Sequence, residues 1–414
     1  MAVKQRLQTL RSQAGVTAGP ERAAAAPDLR QRLARMRVGD GPGRARAAPT
    51  REHDVAALAR ALGARELAPG LLCVDHQYGD GAVCAGARLP APEERAGLPG
   101  MPDATLGSLG FLDTETSGLA GGTGTVAFNI GLVRRVGDAW QARQYVITGF
   151  AGEAAMLEAL AADVAGLAAL ATYNGGSFDL PLLRDRYRLH GTAAAPLPAQ
   201  HVDLLHPVRR LFRPHWPDCR LATAEALLLG VARDGDLPGS QVPGVWFDWL
   251  HRGDGARMGD VLAHNRQDIL SLLALLPRLG AAFRDPGAFG ADALGAARAW
   301  LQQGEEARAL QVLEAAPALD RAGQHELARL YRRAGRLEEA AALWQRLAEC
   351  GCPRALEQLA KFHEHFRRDP QAALSLAERL PEGAGHERRR QRLRRRLPAA
   401  ATLPLELEDP SHAP

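Results

Sequence analysis

The chain has 414 residues, of which 46% are hydrophobic and 24% charged, a composition that can bury a sizeable core and speaks against wholesale disorder. At about 150 residues per domain, this length predicts two or three domains. The formal net charge is only +4, from 51 basic and 47 acidic residues, and selects no partner by itself. The basic set is lopsided: only Lys4 and Lys361 are lysines, and the other 49 are arginines. Arginine suits phosphate through its planar fork, but a GC-rich genome encodes the same Arg-, Ala-, Gly- and Pro-rich bias. No apolar run reaches the roughly 18 residues needed to span a bilayer. The N-terminus, MAVKQRLQTLRSQ, lacks the apolar stretch and cleavage site of a secretory signal. Five cysteines without a CxxC pair support neither a disulfide framework nor a zinc knuckle. The cytoplasm is the expected compartment, with no membrane partner.

Residues 1–50 have almost no aromatic or β-branched side chains, so they are expected to form a disordered basic arm, with short helices at most over 3–13 and 28–37. Residues 51–103 read as an accessory segment. The stretch HDVAALARALGARELA is a helix candidate, and LLCVDHQYGDGAVCAGARL reads as a hairpin turning at Gly79-Asp80-Gly81. Residues 104–280 hold the clearest pattern. LGFLDTETS reads as a buried strand. AFNIGLVRRVG and WQARQYVITGF read as two more strands, with a turn at Gly137-Asp138. EAAMLEALAADVAGL has helical periodicity. ALATYNG is a fourth strand and SFDLPLLRDRYRLH a helix. QHVDLLHPVRRLF is a fifth strand or a strand-helix joint, and LATAEALLLG is another helix. MGDVLAHNRQDILSLLALLPRLG closes the domain as a long amphipathic helix. Hairpin strands followed by alternating helices and strands predict an α/β fold, a mixed five-stranded sheet flanked by helices.

Residues 291–380 read as all-helical and repetitive. Ala309, Ala340 and Ala373 recur at intervals of 31 and 33, with turns expected at Gly304, Gly335 and Arg368-Asp369-Pro370. That period matches tetratricopeptide-like helix pairs, in which small residues let two helices approach closely. Residues 381–414 form an Arg-rich tail, with seven arginines in HERRRQRLRRRL.

Three polar clusters carry the chemistry. Asp113 and Glu115 are two apart on a strand, so both carboxylates share a face and Leu112 and Thr114 take the other. Alone, such a pair also suits a solvated strand end. Asn174-Gly-Gly-Ser-Phe178-Asp179 joins a strand end to a helix start, where Ser177 or Asp179 equally suits a helix cap. His264 and Asp268 are four apart on one helical face. The apolar run Ile269–Leu276 sets Asp268 beside the buried part of that helix, where a carboxylate needs a partner.

In this order on this fold pattern, the clusters resemble the DnaQ-like (DEDD) 3′–5′ exonuclease superfamily on a ribonuclease-H-like fold. More closely, the chain resembles the bacterial YprB-type ribonuclease-H-like proteins. The resemblance rests on FLDTETSGLAGGTGTVAFNIGL, TYNGGSFDLPLLRDR, HVDLLHPVRRL, CRLATAEALLLG, DLPGSQVPGVWFDWL and HNRQDILSLLAL, about 40% of the chain. It implies Asp113, Glu115, Asp179 and Asp268 as ligands of two divalent cations, Mg²⁺ or Mn²⁺, and a two-metal hydrolysis of phosphodiesters at single-stranded DNA or RNA ends. His264 is then the general base. In the superfamily a catalytic His stands five residues before the last Asp and a Tyr four before; here a His takes the four-residue spacing. Thr116, Asn174 and Phe178 are assigned to substrate, Phe178 against a competing place in the core. Helical repeats after the nuclease domain, common in that family, suit a protein partner. A catalytically inactive domain in a repeat scaffold, and a structure-selective endonuclease, are the alternatives.

Gly118-Leu-Ala-Gly121-Gly122-Thr-Gly124 lacks the Lys-Ser/Thr of a phosphate loop. It reads as a tight hairpin or as backbone approaching a terminal nucleotide. Asp203, beside His201, reads as a capping residue, and Trp246, Phe247 and Trp249 as packing residues rather than base-stacking ones. Residues 1–60 carry 12 basic and 5 acidic side chains, whereas 104–280 carry 15 and 17. Positive charge is therefore concentrated away from the acidic clusters.

Overall fold

The computed structural model describes residues 53–397 apart from 85, 102–103, 119–123, 193–194 and 234. The arm expected over 1–50, most of the glycine loop and the last residues of the tail lie outside these.

A seven-stranded sheet organises the molecule, in the order β1-β2-β7-β6-β5-β8-β9. Its strands are β1 (Arg65–Ala68), β2 (Leu71–Tyr78), β5 (Leu109–Thr116), β6 (Ala127–Val136), β7 (Ala139–Ile147), β8 (Ala169–Thr172) and β9 (Gln200–Asp203). β3 (Val83–Cys84) and β4 (Ala87–Arg88) form a separate two-stranded ribbon. β5 pairs parallel with β8, and β8 with β9; every other pairing in the sheet is antiparallel. The β6–β7 hairpin turns at Gly137 (φ +55°), where the spacing predicts it.

The sheet therefore has seven strands rather than five. The five expected strands leave one edge of β7 unpaired, and an open edge is a ready template for pairing. β2 fills it along its whole length, from Leu71 opposite Ile147 to Tyr78 opposite Trp140. The hairpin expected at residues 79–81 also changes place. β2 turns back at its other end, through Gly70 (φ +81°), onto β1.

Both faces of the sheet are covered. One carries α2 (Glu153–Val164) and α3 (Asp179–Leu189), whose Leu157, Leu160, Leu180 and Leu183 join Leu112, Ile130 and Leu132 in an apolar cluster. On the other lies the long α7 (Met258–Arg284), which packs Ile269, Leu272 and Leu276 with Phe111 and Val133. Between these elements run α4 (Leu205–Phe212), the short α5 (Leu221–Ala224) continuing into a π-helical turn Glu225–Leu229, and α6 (Val242–Arg252). α1 (Val55–Leu62) precedes β1 and is capped by Asp54, which accepts from Ala57 N–H at 2.7 Å. Trp246 and Trp249 on α6 are buried, as a packing role requires, while Phe247 is partly exposed.

The apolar cluster under α7 continues into the C-terminal helices: α8 (Ala293–Gln302), α9 (Glu306–Ala315), α10 (Arg321–Arg333), α11 (Leu337–Glu349), α12 (Pro353–Phe362) and α13 (Pro370–Glu378). Ala309, Ala340 and Ala373 are fully buried, one on each second helix. Gly304, Gly335 and Arg368 have positive φ at the turns before those helices.

The Arg run folds back onto the helical region. It forms α14 (Ala384–Arg394), packed on α13 with Leu393 fully buried. Glu364, buried after α12, draws in Arg392 at 2.7 Å, Arg389 at 3.5 Å and Arg396 at 3.6 Å. Arg390 pairs with Glu387 and Arg394 with Glu378. A buried carboxylate needs such compensation, and this holds the run in place. Among the described residues no helix is long and apolar enough to cross a membrane.

Candidate active site

The site forms where β5 ends between α7 and the start of α3. Alternation along β5 puts Asp113 and Glu115 on the α7 side. Opposite Asp113 on β6 stands Gly131. A Cβ there would lie 2.2 Å from Asn265 Oδ1, so the bare glycine lets α7 lay Asn265 over the sheet. Asn265 donates through Nδ2 to Asp113 Oδ2 at 2.9 Å, and its own Oδ1 accepts from Gln144 at 2.9 Å.

Asp179 opens α3, 7% exposed, and accepts from the Thr114 hydroxyl at 2.5 Å. Thr114 thus does more than fill the opposite face of β5. Gly175, in the preceding loop, brings its backbone close, since a Cβ on it would sit 2.9 Å from Asp179 Oδ2.

From α7, His264 and Asp268 face the strand end together. His264 Nε2 lies 3.9 Å from both Glu115 Oε1 and Asp268 Oδ2, and Nδ1 lies 2.8 Å from Asp236 Oδ1. Arg233 bridges three carboxylates. It donates to Asp268, to Asp236 at 2.9 Å, and to the fully buried Glu225 at 2.6 and 2.8 Å. Arg233, Asp236, Glu225, Asn265 and Thr114 are site residues that sequence reasoning misses. Gly131, a bare position inside an apolar strand, is the one signal that points to any of them.

The electrostatics follow from crowding. Burial, with the charges of Asp268, Asp179 and Glu115 adding to it, holds the Asp113 carboxyl well above the usual carboxylate range. Burial pushes Glu115 up to about 7 against the pull of His264. It pushes Asp179 up to about 6 against the Thr114 hydrogen bond. Asp268 is raised by burial despite Arg233 and His264. For His264 burial acts downward, but Asp268, Asp236 and Glu115 outweigh it and raise the imidazole. Asp236 is lowered: its bonds from His264 and Arg233 overcome burial.

The donor chemistry fits hard divalent cations, which prefer carboxylate oxygens and relieve like charges held together. Among the described residues no three His, Cys, Asp or Glu side chains already converge as ligands around one point. Asn265, Thr114 and Arg233 occupy oxygens of Asp113, Asp179 and Asp268 instead.

The remaining expected residues separate. Thr116 turns its hydroxyl to the Gly118 carbonyl at 2.9 Å. Asn174 sits at φ +65°, and its N–H donates to Asp203 at 2.7 Å. Asp203 also accepts from Gly176 and Leu205 N–H, so it anchors the loop, as a capping role implies. Phe178 is 58% exposed, which removes its competing place in the core: the loop that delivers Asp179 inward turns Phe178 out.

Residues 110–280 match the family model described as RNase H superfamily. The mixed sheet with helices on both faces fits that fold. Over 283 residues the chain is 31% identical to the uncharacterized protein YprB of Bacillus subtilis (strain 168), covering 66% of this chain and 68% of that protein. Among solved structures it is similar to the family B DNA polymerase from the hyperthermophilic archaeon Pyrobaculum calidifontis. The TM-score there is 0.35 and the identity 16%, over 55% of this chain and 29% of the polymerase. The chain spans less than a third of that polymerase.

Proposed function

The chain belongs to the YprB family and carries a ribonuclease-H-like domain, and from that premise we propose that it is a divalent-metal-dependent nuclease, a 3′–5′ exonuclease acting on single-stranded DNA or RNA ends. One observation carries the reading: Asp113, Glu115, Asp179 and Asp268 share a partly buried site in which each carboxyl is raised above its ordinary range. Packed carboxylates repel one another, and a protein used only for binding gains nothing from that repulsion.

In this reading the four carboxylates hold two Mg²⁺ or Mn²⁺ ions, which supply the charge that acidifies a water and steadies the leaving 3′ oxygen. The proton chemistry belongs to His264. Asp236, held ionised, accepts only, so it fixes the proton on Nδ1 and leaves Nε2 as the base beside Glu115 and Asp268. The shared helical face makes the four-residue spacing serviceable, because Nε2 stands at equal distance from both carboxylates. Arg233 balances Asp268, Asp236 and Glu225. The C-terminal helix pairs, read as tetratricopeptide-like, offer a surface for a protein partner.

The test is incubation of the full chain with end-labelled single- and double-stranded DNA and RNA, with Mn²⁺ or EDTA, beside Asp113→Asn. Metal-dependent laddering from the 3′ end, lost in the variant, is expected. Absence of cleavage on every substrate overturns the activity. Internal cuts in duplex or branched substrates favour the endonuclease.

A further inference from the structure

Beside the carboxylate site opens a pocket of about 900 Å³ that the chemistry above leaves unused. Asn174 stands at its edge, and it is lined by Arg209, Arg213, Trp216, Asp218 and Arg220. Arg209 and Arg213 are four apart at the end of α4, so they project from one face. Both are exposed, and neither makes a side-chain hydrogen bond or ion pair with a described residue. Among the described residues the Arg220 guanidinium meets only Asp218, at 3.8 Å. Asp218 is itself taken up by the Thr223 hydroxyl at 2.5 Å and the Arg220 N–H at 3.0 Å. Three guanidinium groups thus face one pocket with a single, already engaged carboxylate. Elsewhere in the same domain Arg143, Arg186 and Arg233 are tied to acidic partners.

The pocket also holds an aromatic platform. Trp216 stacks on the fully buried Phe212, ring centres 4.1 Å apart and planes 11° from parallel. The buried ring backs the half-buried indole where it lines the pocket. Unpaired guanidinium groups beside a fixed aromatic ring are what a single strand requires: phosphates for the charges and an unstacked base for the ring.

We propose that this pocket binds single-stranded nucleic acid, with phosphates on Arg209 and Arg213, a base against Trp216, and the strand passing Asn174 toward Asp179. The route follows from the chain itself. Asn174 is followed by Gly175, whose backbone approaches Asp179 closely enough that a Cβ would sit 2.9 Å from its carboxylate. The destination rests on the nuclease reading; the occupancy of the pocket does not. A duplex is disfavoured because its bases cover one another and offer no face to Trp216.

The experiment is fluorescence anisotropy on the full chain in EDTA, with labelled oligothymidylate, oligouridylate and a duplex of equal length, over a range of salt. Arg209→Ala combined with Arg213→Ala should weaken single-strand binding about tenfold or more and lower the log–log salt slope by roughly 1.4. Trp216→Leu should weaken it about tenfold with the slope kept, and Trp216→Phe should recover most of the loss. Thermal unfolding of each variant checks the fold; the exposed arginine positions provide the test even where Trp216→Leu unfolds. Unchanged affinity and slope in the double arginine variant, or a duplex bound as tightly through the same arginines, overturns the proposal. Failure of the wild-type chain to cleave in Mn²⁺ overturns the nuclease reading alone, because binding is measured without turnover.

Discussion

Asp236 brackets His264 Nδ1, with Oδ1 at 2.8 Å and Oδ2 at 2.9 Å, and its Oδ2 also accepts from Arg233 Nη1 at 2.9 Å. Arg233 reaches only Oδ2, which sets the two oxygens apart. In Asp236→Asn the amide oxygen should turn to Arg233, leaving the NH₂ to donate to Nδ1 and moving the imidazole proton to Nε2. Turnover should then fall by roughly 10²–10⁴, with KM little changed. Steady-state kinetics on a labelled single strand checks this; a variant with wild-type kcat removes His264 as the base.

Arg233 is the counter-charge of three carboxylates, one of them fully buried. Arg233→Met should destabilise the EDTA-treated protein by about 3–5 kcal/mol, because it strands those charges. Mn²⁺ should return part of the loss by binding the carboxylate site. Denaturant unfolding with and without Mn²⁺ reads both effects, and equal losses in the two conditions count against a cation there.

Gly131→Ala would place a Cβ 2.2 Å from Asn265 Oδ1. Pushing α7 or Asn265 aside should cost about 1–3 kcal/mol and loosen Asp113. Combining it with Asn265→Ala should relieve the clash without restoring activity, because Asp113 and Gln144 then lose their partner. Thermal melts and cleavage assays on the single and double variants separate the two; a Gly131→Ala protein with unchanged melting would show that the close approach is not needed.

The pH dependence of stability should include Glu153. Burial acts to raise its carboxyl, but hydrogen bonds from Arg186 and His190 outweigh burial and hold it below the ordinary value of 4.5. A depressed folded pKa gives stability that is present above the unfolded pKa and is lost as pH falls through the folded one. Wild-type stability should therefore drop below pH 4.5, and Glu153→Gln should flatten that part of the profile while lowering stability near neutrality. Urea unfolding between acidic and neutral pH checks it; parallel profiles would refute the assignment.

Much of the fold is legible because its signals are local. Turn chemistry marks Gly137, Gly304 and Gly335, and periodicity marks α2, α3 and α7. β2 is recognisable as a strand, but its partner is not, since pairing depends on which sheet edge is left open. The fold of the Arg run is hidden for a similar reason: seven arginines read as an Arg-rich tail, and the buried Glu364 that gathers three of them is distant in sequence. Phe178 reads as core from its chemistry, and only the loop geometry that aims Asp179 inward turns it out.

Spacing along the chain is enough to pair the acidic side chains of β5 and the polar ones of α7. Asp113 and Glu115 share a face because a strand repeats every two residues, and His264 and Asp268 because a helix returns after four. How that charge is balanced depends on tertiary packing. Arg233 and Asp236 belong to a loop with no period, Asn265 reaches Asp113 only because Gly131 leaves room, and Thr114 meets Asp179 across 65 residues of chain. Hydrogen bonds and ion pairs act over about 3 Å, so they depend on how helices seat on the sheet and not on spacing along the chain.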